Sequence, residues 1–237
     1  MARAIATRTR AAARWVVPGL GLILILQGCA GLIPSRDSAT AYDLPGGAFQ
    51  VRKGRPGIVI GTPPGGSDAE TDAVVRELAS RTGFGLVVVK SSAAHQQNGD
   101  DAPSGFSTYR RLVADAAQGP LRLYVEVHGD GDRTSAGRVQ IATIGLTPDD
   151  AWRLKTLFEL IRDARVQKPT PRLELLVESR TAGLQTVQVS TPRALGAARA
   201  LRIDLPRAAR TTYREVYTNV LAAFLTESAT FLVARER

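Results

Sequence analysis

The sequence predicts one α/β domain of three layers, a mostly parallel mixed sheet with helices on both faces. Three observations predict it. The short apolar runs Ile58-Val59-Ile60 and Leu86-Val87-Val88-Val89 lack the alternation of a half-solvated strand and read as strands buried on both faces. Segments with apolar residues at helical spacing separate such runs. Turn residues and helix caps mark the changes from one period to the other. Buried strands alternating with amphipathic helices require a sheet covered on both sides.

The first strand is Gly57–Gly61, followed by a Pro/Gly turn at 62–66. Ser67 and Glu70 have capping-box spacing and open a helix to about Thr82, with Val74, Val75 and Leu78 on its apolar face. Gly83 and Gly85 stop it. Leu86–Val89 is the next strand, and the polar stretch 91–105 reads as a loop. A helix from about Ser107 to Gln118 leads through Gly119-Pro120 to a strand from Leu121 to His128. Arg138–Ile144 is a further strand.

Thr147-Pro148-Asp149-Asp150 starts the next helix, with Thr at the cap, Pro in the first turn and acids on the positive dipole end. Leu154, Leu157, Phe158 and Ile161 give it an apolar face. Segments 172–178 and 185–190 read as a hairpin. Leu201–Leu205 is the last strand, ended by Pro206. Thr212 with Glu215 caps a terminal helix whose stripe is Tyr213, Val216, Tyr217, Val220, Phe224 and Phe231.

The N-terminus carries Arg3, Arg8, Arg10 and Arg14 and no acid, then an apolar run from Trp15 to Leu26. A basic segment followed by an apolar one describes a secretory signal, and the run falls short of the roughly 20 residues of a membrane span. Leu26-Gln27-Gly28-Cys29 resembles the lipobox of bacterial lipoproteins, and Cys29 is the one cysteine of the chain. The resemblance implies removal of residues 1–28 and lipidation of Cys29, with each buried methylene contributing about 0.8 kcal/mol of membrane affinity. Ala30, where an Asp would favour the inner membrane, implies the outer membrane and its periplasmic face.

Residues 29–47, rich in small and polar types, read as a lipidated tether, and 48–237 as the domain. The formal charge of +9 falls to about +5 once the signal arginines are removed. No basic block interleaved with aromatics is present, which argues against a nucleic-acid partner. A lipidated Cys29 leaves no thiol for a disulfide, so a packed core must hold the fold.

In sheets of this kind ligands bind at the carboxyl ends of the strands. There, the period of two sets Glu126 and His128 on one face just before Gly129-Asp130-Gly131-Asp132. The same pattern fits a solvated edge face or a structural histidine. Asp68, Glu70 and Asp72 stand at a helix start, where capping and the dipole alone favour acids. Asp204 interrupts an apolar strand and is followed by Arg207 and Arg210; an acid there is costly unless paired or at a site mouth.

Segments Ile58–Lys90, Tyr124–Gly129 and Ala200–Arg210 resemble the N-formylglutamate amidohydrolase family, of the zinc-dependent exopeptidase fold type, over most of the chain from about residue 57. The resemblance implies zinc held by a first-turn His, a nearby carboxylate and a later His, and hydrolysis of an amide in a small acidic substrate. Carried onto this chain, it makes Asp68 and His128 metal ligands and Glu126 and Asp204 catalytic. Arg207 and Arg210 then bind the substrate carboxylate.

The chain departs from that pattern. Pro64 stands where the first His is expected, the Asn-Arg motif is absent between Lys90 and Tyr109, and Asp204 replaces a Glu. A catalytic zinc needs three protein ligands, yet the chain has only His95 and His128. Two functions follow. One is an envelope zinc-dependent amidohydrolase. The other is a non-catalytic periplasmic binding or scaffolding module with a decayed metal site; the partners expected of the protein are the membrane, through Cys29, and a small acidic substrate or cell-wall fragment.

Overall fold

A computed structural model of the chain describes residues 40–44, 47–64, 68–89, 102–129, 138–166, 174–179 and 190–234. The strands are β1 (Thr40–Leu44), β2 (Gly47–Arg52), β3 (Arg55–Thr62), β4 (Phe84–Val89), β5 (Leu123–Gly129), β6 (Arg138–Ile144), β7 (Glu174–Ser179) and β8 (Arg199–Leu205). The helices are α1 (Ala69–Thr82), α2 (Ala102–Ala117), α3 (Pro148–Arg165), α4 (Ser190–Ala194), α5 (Arg207–Arg210) and α6 (Arg214–Ala234).

All eight strands form one sheet in the order β1-β2-β4-β3-β5-β8-β6-β7. The centre, β4-β3-β5-β8, is parallel throughout. The flanks reverse: β2 is antiparallel to β4, β1 to β2 and β6 to β8, while β7 runs parallel to β6. This is the mixed, mostly parallel three-layer architecture that the buried apolar runs predict.

Two cores, one per face, explain the strand sequences. On one face, Ile58, Ile60, Leu86, Val88, Leu123, Val125, Val127, Leu201 and Ile203 pack with residues of α1, α3 and α6. On the other, Val59, Val87, Val89, Tyr124 and Ala200 pack against Tyr109, Leu112, Val113 and Ala116 of α2. A strand with a core on each side has no polar face to display, so its sequence does not alternate. Phe158 of α3 and Phe224 of α6 meet edge to face at 5.4 Å between centroids, joining these helices over the first core.

The helix ends follow capping chemistry, with one correction. The N-cap of α1 is Asp68, whose carboxylate accepts from the Thr71 amide at 2.6 Å; Ser67, the expected cap, lies outside the described residues. Gly83 closes α1 in the left-handed conformation, φ 70°, its N–H donating to the Ala79 carbonyl. Thr147 caps α3 with Pro148 in the first turn, as predicted. The terminal helix differs: a short α5 and a turn precede it, α6 starts at Arg214, and Tyr213 is exposed. Tyr217, Val220 and Phe224 of the expected stripe are buried, joined by Leu221, Leu225 and Leu232, while Val216 and Phe231 are partly exposed.

Two further expectations are revised. The tether reading of 29–47 assigns no strand, yet Thr40–Leu44 and Gly47 pair in an antiparallel ladder. Small, polar composition does not report backbone pairing to a neighbouring edge. The strand β2 has its signal in Phe49-Gln50-Val51-Arg52, where Phe49 and Val51 are buried and Gln50 and Arg52 are not. Of the expected hairpin, β7 lies parallel to β6, while the second segment, 185–190, lies outside the described residues except for Ser190, where α4 begins. The signal segment and Cys29 also lie outside it.

Candidate functional site

The carboxyl ends of β3, β5 and β8 carry polar side chains on both faces, and the register fixes their neighbours. Glu126 pairs with Gly61 on one side and Arg202 on the other; His128 pairs with Asp204, and Asp204 with Gln140. Period-two alternation sets Glu126, His128, Arg202 and Asp204 on the α2 side, the side of Tyr124.

On that side Glu126 is only 1% exposed. Its Oε1 meets His128 Nε2, whose side chain is 15% exposed. Its Oε2 is buried and has no hydrogen-bond partner among the described residues. Beneath it the hydroxyls of Tyr109 and Tyr124 share a hydrogen bond of 2.6 Å, both rings fully buried. Tyr109 reaches there because Gly61 has no side chain; a Cβ at Gly61 would sit 2.5 Å from the Tyr109 hydroxyl and 2.4 Å from the Val87 carbonyl oxygen. Burial pushes both phenols well above their ordinary range, and the nearby Glu126 charge adds to the effect. Arg202 donates to Asp204 Oδ1 from Nε at 3.3 Å and Nη2 at 3.2 Å, a half-buried pair beside the Glu126–His128 pair.

The α1 side holds a different set. The Arg210 guanidinium, 6% exposed, donates through Nη1 to Asp68 Oδ2 and reaches Thr71 Oγ1 at 3.4 Å. It lies against the end of β5, since a Cβ on Gly129 would come within 2.8 Å of its Cζ and 2.7 Å of Thr71 Oγ1. Burial alone would raise the Asp68 carboxyl. The hydrogen bonds from the Thr71 hydroxyl and amide, with the charge and donor of Arg210, together outweigh it and hold the group below its ordinary range. Next to it Asp72 is buried at 2% and accepts from Thr62 Oγ1 at 3.4 Å. Acids at a helix start need no function, but one this buried has neighbours to satisfy it.

The structure therefore brings some predicted residues together and separates others. Glu126, His128 and Asp204 share a face. Asp68 belongs to the opposite side, held by its own helix and by Arg210. Arg210, expected to bind a substrate carboxylate, is instead buried in an ion pair with the chain's own acid. Arg207 is exposed on α5, and Pro64 lies in the turn after β3. Among the described residues no three His, Cys, Asp or Glu side chains come together to hold a metal ion. Zinc on Asp68 and His128 does not fit this arrangement, and His95 lies outside the described residues.

Sequence reasoning missed Arg202 and the two tyrosines. Arg202 carries the signal that found Glu126 and His128, a charged residue two positions from another in an apolar strand. The tyrosine pair carries none, because it spans α2 and β5 and depends on an absent side chain at Gly61.

No known protein family matches the chain, and no curated protein does. Solved structures do. A bacteriophage poly-γ-glutamate hydrolase superposes with a TM-score of 0.51 at 10% identity, over 78% of this chain and 89% of that one. A metallo-carboxypeptidase from Burkholderia cenocepacia gives 0.48 at 13%, over 87% of this chain and 68% of that one. At such identities the likeness is one of fold: the mixed sheet and its two helical layers share the α/β arrangement of the poly-γ-glutamate hydrolase.

Proposed function

We propose that this chain is an envelope lipoprotein, lipidated at Cys29 and facing the periplasm from the outer membrane. Its N-formylglutamate amidohydrolase-like domain binds a small acidic ligand, such as a cell-wall fragment, without hydrolysing it. One observation carries the non-catalytic reading. Asp68, the carboxylate expected on a metal, caps α1 and is ion-paired to buried Arg210, on the other side of the sheet from His128. Pro64 in place of the first-turn His supports the same reading.

The second reading is the zinc-dependent amidohydrolase. The buried Glu126 beside His128, with one carboxylate oxygen unpartnered among the described residues, favours it. One measurement separates the two. The full-length chain is purified in detergent, equilibrated with micromolar zinc, desalted and assayed for metal. No bound zinc in a folded sample supports the binding protein. One zinc per chain, lost in His128→Ala, supports the enzyme. The anchor is tested separately: Cys29→Ser abolishes incorporation of labelled palmitate if the lipobox reading is right.

A further inference from the structure

We propose that the ligand of this chain carries an ammonium group, and that this group enters the α2 side of the sheet to lie on Glu126 Oε2. The inference deepens the binding reading by naming a chemical class, and it rests on that reading for the existence of a ligand.

Charge is out of balance at these strand ends. Glu126 and Asp204 bring two carboxylates to the α2 side, on neighbouring strands and two register positions apart. Arg202 is the half-buried cation of this group, and its Nε and Nη2 both donate to Asp204 Oδ1. Arg138 of β6 shares this side, since Val139 packs in the opposite core, but it is exposed at the rim, where water screens its charge. Beneath them the Tyr109 and Tyr124 hydroxyls bond to each other and stay neutral. Glu126 itself is 1% exposed, with one oxygen on His128 and the other without a partner among the described residues. Packing gives no reason for such an oxygen, because an apolar side chain of the same size would cost less there.

The donor set selects the missing partner. A water would satisfy the hydrogen bond and leave the charge. A catalytic or structural metal ion needs three or more protein ligands, and among the described residues no three His, Cys, Asp or Glu side chains come together. An ammonium brings three donors and one positive charge, and needs only acceptors. Glu126 Oε2 takes one of its bonds. The Arg202 pair uses Asp204 Oδ1, which leaves Oδ2 for a second. Asp204 is 25% exposed and nearer the strand end, so a cation meets it first and the buried Glu126 after it. Charge-assisted bonds to a carboxylate out of water are the strong ones.

The test is a calorimetric titration of the full-length protein in non-ionic detergent with chelator present. Its probes are a matched series that differs only in end groups: cadaverine has two ammonium ends, δ-aminovalerate one ammonium and one carboxylate, glutarate two carboxylates. The first two bind, and glutarate binds at least about tenfold more weakly. Glu126→Gln keeps the shape and removes the charge. It weakens both ammonium probes by about tenfold or more, while Tm stays at the wild-type value or rises. A fall in Tm with probe binding unchanged makes Glu126 a packing residue and overturns the inference. Binding of none of the probes overturns it too. Should Glu126→Gln fail to fold, Asp204→Asn decides: weaker cadaverine binding supports the site, and unchanged binding overturns it.

Two outcomes separate this inference from the reading beneath it. Glutarate that binds as tightly as cadaverine overturns the ammonium site and leaves an acidic ligand in place. Zinc bound by the wild type and lost in His128→Ala sinks the non-catalytic reading, while cadaverine binding under chelator that is lost in Glu126→Gln still supports the ammonium site.

Discussion

The two faces of the sheet pair the charges at their strand ends differently. On the α1 side the buried charge has a counter-ion: Arg210 meets Asp68, Asp68 caps α1, and Thr71 and Gly129 pack around the guanidinium, whose Nε is buried and makes no hydrogen bond among the described residues. On the α2 side a buried carboxylate is left half satisfied. Glu126 has His128 on one oxygen and no partner among the described residues on the other, above a tyrosine pair that offers no charge. An ion pair is a structural device, while a buried acceptor without a donor is costly and calls for a reason beyond packing. The sheet thus keeps polar side chains at its strand ends while dividing the expected metal residues between two faces.

A glycine on each face gives the widest separation between them. At Gly61 an added Cβ would meet the Val87 carbonyl oxygen at 2.4 Å, and backbone in a central strand cannot retreat. Gly61→Ala is expected to cost about 3 kcal/mol in urea unfolding. Adding Tyr109→Phe relieves only the hydroxyl contact and leaves most of that cost. At Gly129 the nearest atoms are the ends of the Thr71 and Arg210 side chains, which can move. Gly129→Ala is expected to cost about 1 kcal/mol, with the loss concentrated in the Asp68–Arg210 pair. Equal costs at the two glycines would remove the distinction between a strand end backed by main chain and one backed by movable side chains.

The tyrosine pair sharpens the α2 side. Either Tyr109→Phe or Tyr124→Phe leaves one buried hydroxyl without its partner and is expected to cost about 1–2 kcal/mol. The double variant should cost little more than one of the singles, because no hydroxyl is then stranded. The same pair predicts an alkaline limb. Both phenols titrate above their unfolded value of 10, so their neutral form stabilises the fold fully below that pH, and the benefit falls away as pH rises beyond it. Tyr217, pushed up to about 12, adds to the same limb. Absorbance titration should show the three buried phenols ionising only as the protein unfolds. Early titration of two of them would put Tyr109 and Tyr124 in contact with solvent.

The same comparison marks what the sequence can express. Strand runs, the Thr147 cap and the Glu126–His128 side-sharing were legible because period and cap chemistry are local. Asp68 was legible as an acid at a helix start but not as Arg210's partner, which lies 142 residues away. Nothing local at Arg210 distinguishes a ligand-binding arginine from one that neutralises the chain's own acid. The edge strand β1 was lost for a related reason: the sequence Thr40-Ala41-Tyr42-Asp43-Leu44 has no apolar run or alternation, and it is strand through pairing with β2.

The smallest effect tests the α1 side by pH alone. Hydrogen bonds from Thr71 and the charge of Arg210 hold the Asp68 carboxyl below its ordinary value of 3.8. A group depressed in the fold contributes stability that is complete above its unfolded value and is lost as pH falls through the folded one. The wild type should therefore lose Tm more steeply than Asp68→Asn as pH falls below about 4, until the two curves approach each other in strong acid. Asp68 is 43% exposed, so solvent screening keeps the effect small and added salt should shrink it further. Arg210 does not titrate in this range, so the convergence belongs to Asp68 and not to its partner. Parallel acid limbs in the two proteins would mean that the carboxylate feels no buried cation, and the α1 face would lose its counter-ion.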